Sequence, residues 1–229
     1  MVHLAPLSAY RCAMITDPFF YLCAIPAVLL YGIAKGGFGG NIAIVSVPLM
    51  ALVVAPQQAA AILLPILCLM DLVALRTFRG RWDRTNLRII LPAAIVGVLI
   101  GALTFRLMNE QHIRLLIGVI AVSFVINAWW RRDQQQARPA NAWRGRFWGM
   151  LSGFTSFGIH AGGPPINVYM LPQRLEKTLL MGTLAVFFTL VNWVKVPAYL
   201  YLGQFSSENL LTSLVLMPLA PIGVRCGYW

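Results

Sequence analysis

The sequence predicts an all-α protein, a polytopic transmembrane helical bundle of two pseudo-symmetric, inverted repeats with broken or re-entrant helices. Three observations predict it. Of 229 residues, 59% are hydrophobic and only 11% charged, against about 25% charged in a soluble domain, and mean hydropathy is +0.73. So few ionic groups do not cover a water-facing exterior, which excludes a soluble enzyme, a disordered tail and a disulfide scaffold. The apolar residues fall into runs separated by short polar connectors, with room for roughly eight spans of ~20 residues. Finally, a glycine-rich break and the pattern that follows it occur twice.

The apolar runs are 18–34, 42–54, 57–78, 86–105, 112–130, 146–159, 165–175, 178–202 and 208–227. Lipid gives backbone groups no partner except inside a helix or a closed barrel, and no ten-residue alternation favours a barrel. The first run is a retained membrane segment rather than a signal peptide, because Pro26 and the glycines from Gly32 to Gly40 interrupt it and more apolar sequence follows. Runs 42–54 and 165–175 would be only ~15–20 Å long as helices, short of the ~30 Å hydrocarbon core. Each follows a glycine cluster, Gly36-Gly37-Phe38-Gly39-Gly40-Asn41 or Gly158-Ile159-His160-Ala161-Gly162-Gly163-Pro164-Pro165. Both read as broken or re-entrant helices.

A shift of 123 residues superposes Gly39 and Gly40 on Gly162 and Gly163, Val45 on Val168, Gly80 on Gly203 and Leu87 on Leu210. A shift of 126 carries Pro92, Gly97, Val98 and Gly101 onto Pro218, Gly223, Val224 and Gly227. An internal duplication follows: residues 1–130 form the first membrane repeat, 131–145 a basic cytoplasmic linker and 146–229 the second repeat. Residues 102–130 would correspond to about 228–256, so the second repeat is expected to lack its last helix.

The net charge of +11 is concentrated. Ten of the 18 basic residues lie in 76–88 and 131–146, where five arginines in each oppose one aspartate. That is the positive-inside pattern, and without interleaved aromatic platforms it argues against nucleic acid. With 172–178 these loops fall inside, and 106–114 and 203–209 outside. The loops around Gly80 and Gly203 are equivalent yet carry opposite charge bias, as in inverted repeats. Cys12, Cys23, Cys68 and Cys226 form no CxxC pair and read as small apolar residues, neither bridges nor ligands.

No hydrolase, P-loop, zinc-protease or dinucleotide motif is present. His3, His112 and His160 are too scattered for a metal site, and Ser152-Gly153 near His160 lacks the spacing of a serine protease. No catalytic residue, metal or cofactor is expected. The candidates are polar groups inside apolar runs, where a charge costs ~2.5–3.5 kcal/mol even on insertion scales. Lys35 precedes the first glycine cluster, Asp71 lies within 57–78, His160 sits in the second cluster, and Lys195 lies within 178–202 beside Asn192. Each has a plainer reading: snorkelling for the lysines, a structural partner in Arg76 or a lysine for Asp71, a loop hydrogen bond for His160. A helix starting in mid-membrane has unpaired N–H groups and a positive dipole end, so Gly36, Gly39, Gly40, Asn41, Gly162 and Gly163, with the lysines, read as an oxyanion cavity. Gly97/Gly101 and Gly145/Gly149/Gly153 recur every four residues and are assigned to helix packing.

At these residues the sequence resembles the sulfite exporter TauE/SafE family of membrane permeases. The matching features are Ala34-Lys35-Gly36-Gly37-Phe38-Gly39-Gly40-Asn41 with Val47-Pro48-Leu49, then Gly149 to Gly153, Gly162-Gly163-Pro164-Pro165, Gly182-Thr183, Lys195 and Gly203. The resemblance implies transport of sulfite, sulfoacetate or related organosulfonates across the cytoplasmic (inner) membrane by a multi-pass protein. The partners are then the lipid bilayer and a small anionic substrate, with a homo-oligomer left open. In that reading Lys35 and Lys195 supply counter-charge, Thr183 and Asn192 neutral donors, and Asp71 couples proton movement. The alternative is a non-transporting membrane assembly or sensor component, whose glycine stripes serve association.

Overall fold

The computed structural model describes residues 14–37, 42–105, 107–130 and 137–229. Of the residues singled out above, Gly39, Gly40 and Asn41 lie outside the described residues, as do His3, Cys12 and positions 131–136 of the linker. The described chain is helical throughout. Helix α1 (Pro18–Gly37) is followed by a 3-10 turn (Ile42–Val45) leading into the short α2 (Ser46–Met50). Then come α3 (Pro56–Thr77), α4 (Arg84–Phe105), α5 (Glu110–Trp130), α6 (Ala142–Ile159), α7 (Gly163–Met170), α8 (Lys177–Tyr201), α9 (Ser207–Leu216) and α10 (Leu219–Tyr228).

The starts of these helices are written in the sequence. Asp83 Oδ1 accepts from the amides of Thr85 (2.8 Å) and Asn86 (3.1 Å) to cap α4, and Asn141 Oδ1 accepts from the Arg144 amide (3.0 Å) on α6. Glu176 caps α8 through Thr178 and Leu179, and Ser206 caps α9 through Asn209. Side-chain acceptors satisfy the amides a helix start leaves unpaired, and Pro56 stands where its missing N–H costs nothing.

Among the described residues, α1, α3, α4 and α8 are each long and apolar enough to cross a membrane; α9 and α10 together make a fifth, bent by 45°. That is fewer than the eight the length allows; α2 and α7, only 5 and 8 residues long, are too short to span. The run 208–227 is also not one rod. It breaks at Met217-Pro218, whereas the equivalent Pro92 stays inside an uninterrupted α4.

Contacts fix the helix directions. α3 and α8 are antiparallel, Asp71 meeting Asn192 and Phe78 lying against Gly182. α4 and α6 run parallel, Gly149 against Ile90, Gly153 against Ala94 and Gly101 against Phe157. α1 and α10 also run parallel, Gly32 against Gly223 and Gly36 against Val224 and Gly227. Thus the duplicated P-x4-G-x3-G does one job twice: it seats α4 on α6 and α10 on α1, across the boundary between the halves. A Cβ at Gly153 would sit 2.0 Å from the Ala94 carbonyl oxygen and one at Gly227 2.2 Å from that of Ile33. The packing assignment of Gly97, Gly101, Gly145, Gly149 and Gly153 therefore holds, with the packing internal to the chain. Gly80 and Gly203, which follow α3 and α8, both have positive φ (78° and 66°), a region glycine adopts at no steric cost.

Leaving α6, the chain turns back. Gly162 packs beside Ser152, Tyr169 beside Gly145, and Gln173 bonds Asn86 at the start of α4. α7 thus returns to the end of the bundle that carries the 76–88 loop. The segment after α1 does the reverse: Ser46 Oγ donates to the Ala27 carbonyl (2.8 Å), and Arg114 at the start of α5 donates to the Ala51 carbonyl (3.2 Å). Cys23 is buried, Cys68 half-buried and Cys226 exposed, all as free thiols.

Candidate functional site

The two hairpins meet α3 and α8 in the interior, where the polar residues of the apolar runs converge. Lys195 and Asp71 are 0% exposed, His160 and Asn192 2%, and Lys35 8%. They form two linked clusters.

In the first, the Lys35 ammonium on α1 pairs with the Asp71 carboxylate on α3 and donates to the Leu67 carbonyl (3.4 Å). The other carboxylate oxygen accepts from Asn192 Nδ2 on α8 (2.6 Å). Lys35 therefore does not snorkel, and the partner of Asp71 is this lysine rather than Arg76. In the second, Lys195 Nζ on α8 donates to the Ser156 carbonyl (3.0 Å), to Ser156 Oγ (3.2 Å) and to His160 Nδ1 (2.7 Å). The other imidazole nitrogen, Nε2, lies 2.8 Å from the Ala60 carbonyl of α3. A carbonyl only accepts and an ammonium only donates, so the ring is the neutral Nε2–H tautomer.

The electrostatics follow directly. Lys35 and Asp71 cancel, while Lys195 has three N–H donors and three acceptors, all neutral. Its hydrogen bonds are satisfied but its charge is not balanced: among the described residues no carboxylate is in contact with it. The second cluster thus relies on neutral acceptors alone in the buried interior.

Backbone geometry holds His160 in place. It ends α6 in the left-handed region, φ 53° and ψ 24°, where non-glycine residues are uncommon. Tyr31 Oη donates to its carbonyl (2.9 Å), Tyr199 Oη to that of Phe157 (2.6 Å), and the His160 and Tyr199 rings stack. The spacing echoes the shift read in the sequence: His160 lies 125 residues after Lys35 and Lys195 124 after Asp71, and each pair joins the helix before a glycine cluster to the long helix that follows it.

A small cavity reaches the first pair, lined by Tyr31, Lys35, Asp71, Gly163 and apolar residues of α8 that include Met181 and Phe188. Its volume of about 20 Å³ is room for about one water. At the second break the amides of His160 and Ala161 bond back to α6, and Pro164 and Pro165 have none. The amides left for an oxyanion there are those of Gly162 and Gly163, fewer than a full helix start offers.

Two sequence candidates sit elsewhere. Gly36 is packed against Val224 and Gly227 on α10, at a helix crossing. Thr183 holds the basic loop: its Oγ1 accepts from the Asp83 amide (2.8 Å) and donates to the Leu179 carbonyl (2.6 Å). Tyr199, one turn from Lys195 in the sequence, belongs to the site, and Ser156 and Tyr31 complete it beyond the sequence candidates. Ser156 carried a signal, a hydroxyl in the run that supplies His160; Tyr31 carried none. No group of three or more metal-binding side chains occurs among the described residues.

Compared with known proteins, residues 24–229 match the sequence model of a family described as sulfite exporter TauE/SafE. No curated protein and no solved structure matches the chain.

Proposed function

The chain belongs to the sulfite exporter TauE/SafE family of membrane transporters, and from that premise we propose that it is a secondary transporter of small anions, sulfite or organosulfonates, across the cytoplasmic membrane. The observation that carries this reading is Lys195, a fully buried ammonium whose described partners are all neutral. Burying a charge is costly unless it is compensated, and a mobile anion compensates it only while bound. The anion sits between the lysines, with Asn192 and the amides of Gly162 and Gly163 as neutral donors. Asp71 holds Lys35 until it takes up a proton; its protonation frees Lys35 for the anion and couples the two movements.

Inverted topology fits the same scheme. The 76–88 end is cytoplasmic by the positive-inside rule. α1 runs toward that end and α6 away from it, α3 and α8 are antiparallel, and α4 runs opposite to α9 and α10. The α1/α2 and α6/α7 hairpins are then re-entrant from opposite faces, meeting at mid-membrane as in other secondary transporters. The glycine stripes that favoured an assembly role are engaged within the chain. Reconstituted vesicles tested with labelled sulfite, sulfate and an organosulfonate give saturable uptake of at least one sulfur oxyanion; no flux of any of the three contradicts the reading.

A further inference from the structure

On the outer flank of the α4/α6 crossing, a groove of about 600 Å³ runs down from the basic end of the bundle. Arg88, Pro92 and Val96 form one stripe of α4, and Arg146 and Met150 form the facing stripe of α6, each at the four-residue spacing of one helix face. Each arginine is the fifth residue of its helix. Because α4 and α6 run parallel and in backbone contact, the two guanidiniums stand at matching depth, about 6 Å along the axis from the helix starts. Both are exposed, and neither bonds to any described residue. The adjacent carboxylate, Asp83, is engaged in capping α4. Below the arginines the walls are apolar, and Trp143, 78% exposed, stands at the mouth, the usual depth for an interfacial tryptophan.

Two unpaired guanidiniums above an apolar channel are complementary to one kind of molecule at that depth. We infer that the groove binds an anionic phospholipid, its phosphate bridged by Arg88 and Arg146 and an acyl chain laid along Pro92, Val96 and Met150. Guanidinium forks match phosphate oxygens bidentately, and basic pockets between membrane helices on the cytoplasmic side recognise anionic headgroups. The bound lipid clasps α4 of the first half to α6 of the second.

Native mass spectrometry of protein released from mixed phosphatidylcholine and phosphatidylglycerol micelles tests this. The wild-type protein retains phosphatidylglycerol selectively, and the double substitution Arg88→Gln with Arg146→Gln lowers that retention about thirtyfold. Arg79→Gln with Arg84→Gln, which removes the same charge from the basic end of the bundle but not from the groove, keeps it. Retention unchanged in the first variant, or lost equally in both, overturns the site. Added inorganic phosphate leaves the bound lipid in place; displacement by phosphate alone overturns the acyl-chain half of the inference. Neither arginine hydrogen-bonds or ion-pairs with a described residue, so both variants keep the polar network of the fold.

Discussion

Lys35 and Asp71 show what a buried ion pair does and does not provide. Removing one partner strands the other charge, at a cost of about 3–5 kcal/mol, whereas replacing both with apolar groups is often neutral or better. Lys35→Met should therefore lower the thermal unfolding temperature in detergent, and Lys35→Met with Asp71→Leu should recover most of the loss. If the double variant is as unstable as the single, the pair is not the dominant interaction of either residue. Asp71→Asn has a different expected outcome: it keeps the Asn192 contact but removes the titrating group. Labelled-anion exchange at equal pH persists, while uptake driven by a pH gradient disappears; retained gradient-driven uptake removes Asp71 from coupling. These residues were legible in the sequence because a charge in an apolar run is expensive and conspicuous. Their pairing was less so. Partners 36 and 121 residues apart leave no local signature, and only the shift of 124–125 residues relates one pair to the other. Thr183 was misplaced for a similar reason, since spacing says nothing about which face of α8 meets the basic loop.

At the scale of helices, the glycines separate into those that touch backbone and those that do not. Gly153→Val forces α6 away from α4 and should destabilise by about 1–3 kcal/mol or more. Gly118→Ala, where a new Cβ meets nothing within 4 Å, should be neutral or stabilise α5 by up to about 1 kcal/mol. Thermal unfolding of the two variants checks this, and equal effects would contradict the packing described for α4 and α6. Helix positions followed well from the apolar runs, because lipid leaves the backbone few alternatives. The break at Met217-Pro218 did not, since Pro92 occupies the same motif in an unbroken helix. The difference is tertiary. α4 lies along α6, whereas α9 leans on α3, Ser213 Oγ donating to the Ile62 carbonyl, and α10 leans on α1. Proline permits the kink, and divergent partners select it.

At the scale of the whole molecule, α10 packs onto α1 and α4 onto α6, with the Lys35–Asp71 and His160–Lys195 pairs in the interior. The inverted repeats proposed above predict that, in a cysteine-free background, Arg79→Cys is labelled by an impermeant maleimide only from the cytoplasmic face and Glu208→Cys only from the other. Labelling of both from one side contradicts inverted repeats. The recurring glycine pattern and the charge bias were readable in the sequence; the closeness of the packed interior was not, because volume depends on how side chains fill it. Lys195 is the proposed counter-charge of the anion, and the direct measurement is equilibrium binding of sulfite to purified wild-type protein and to Lys195→Met, with thermal unfolding run in parallel on both. Saturable binding to wild type that is abolished in a Lys195→Met protein of undiminished stability is the predicted result. Equal sulfite affinity in the two proteins would contradict the claim that this ammonium is the anion's counter-charge.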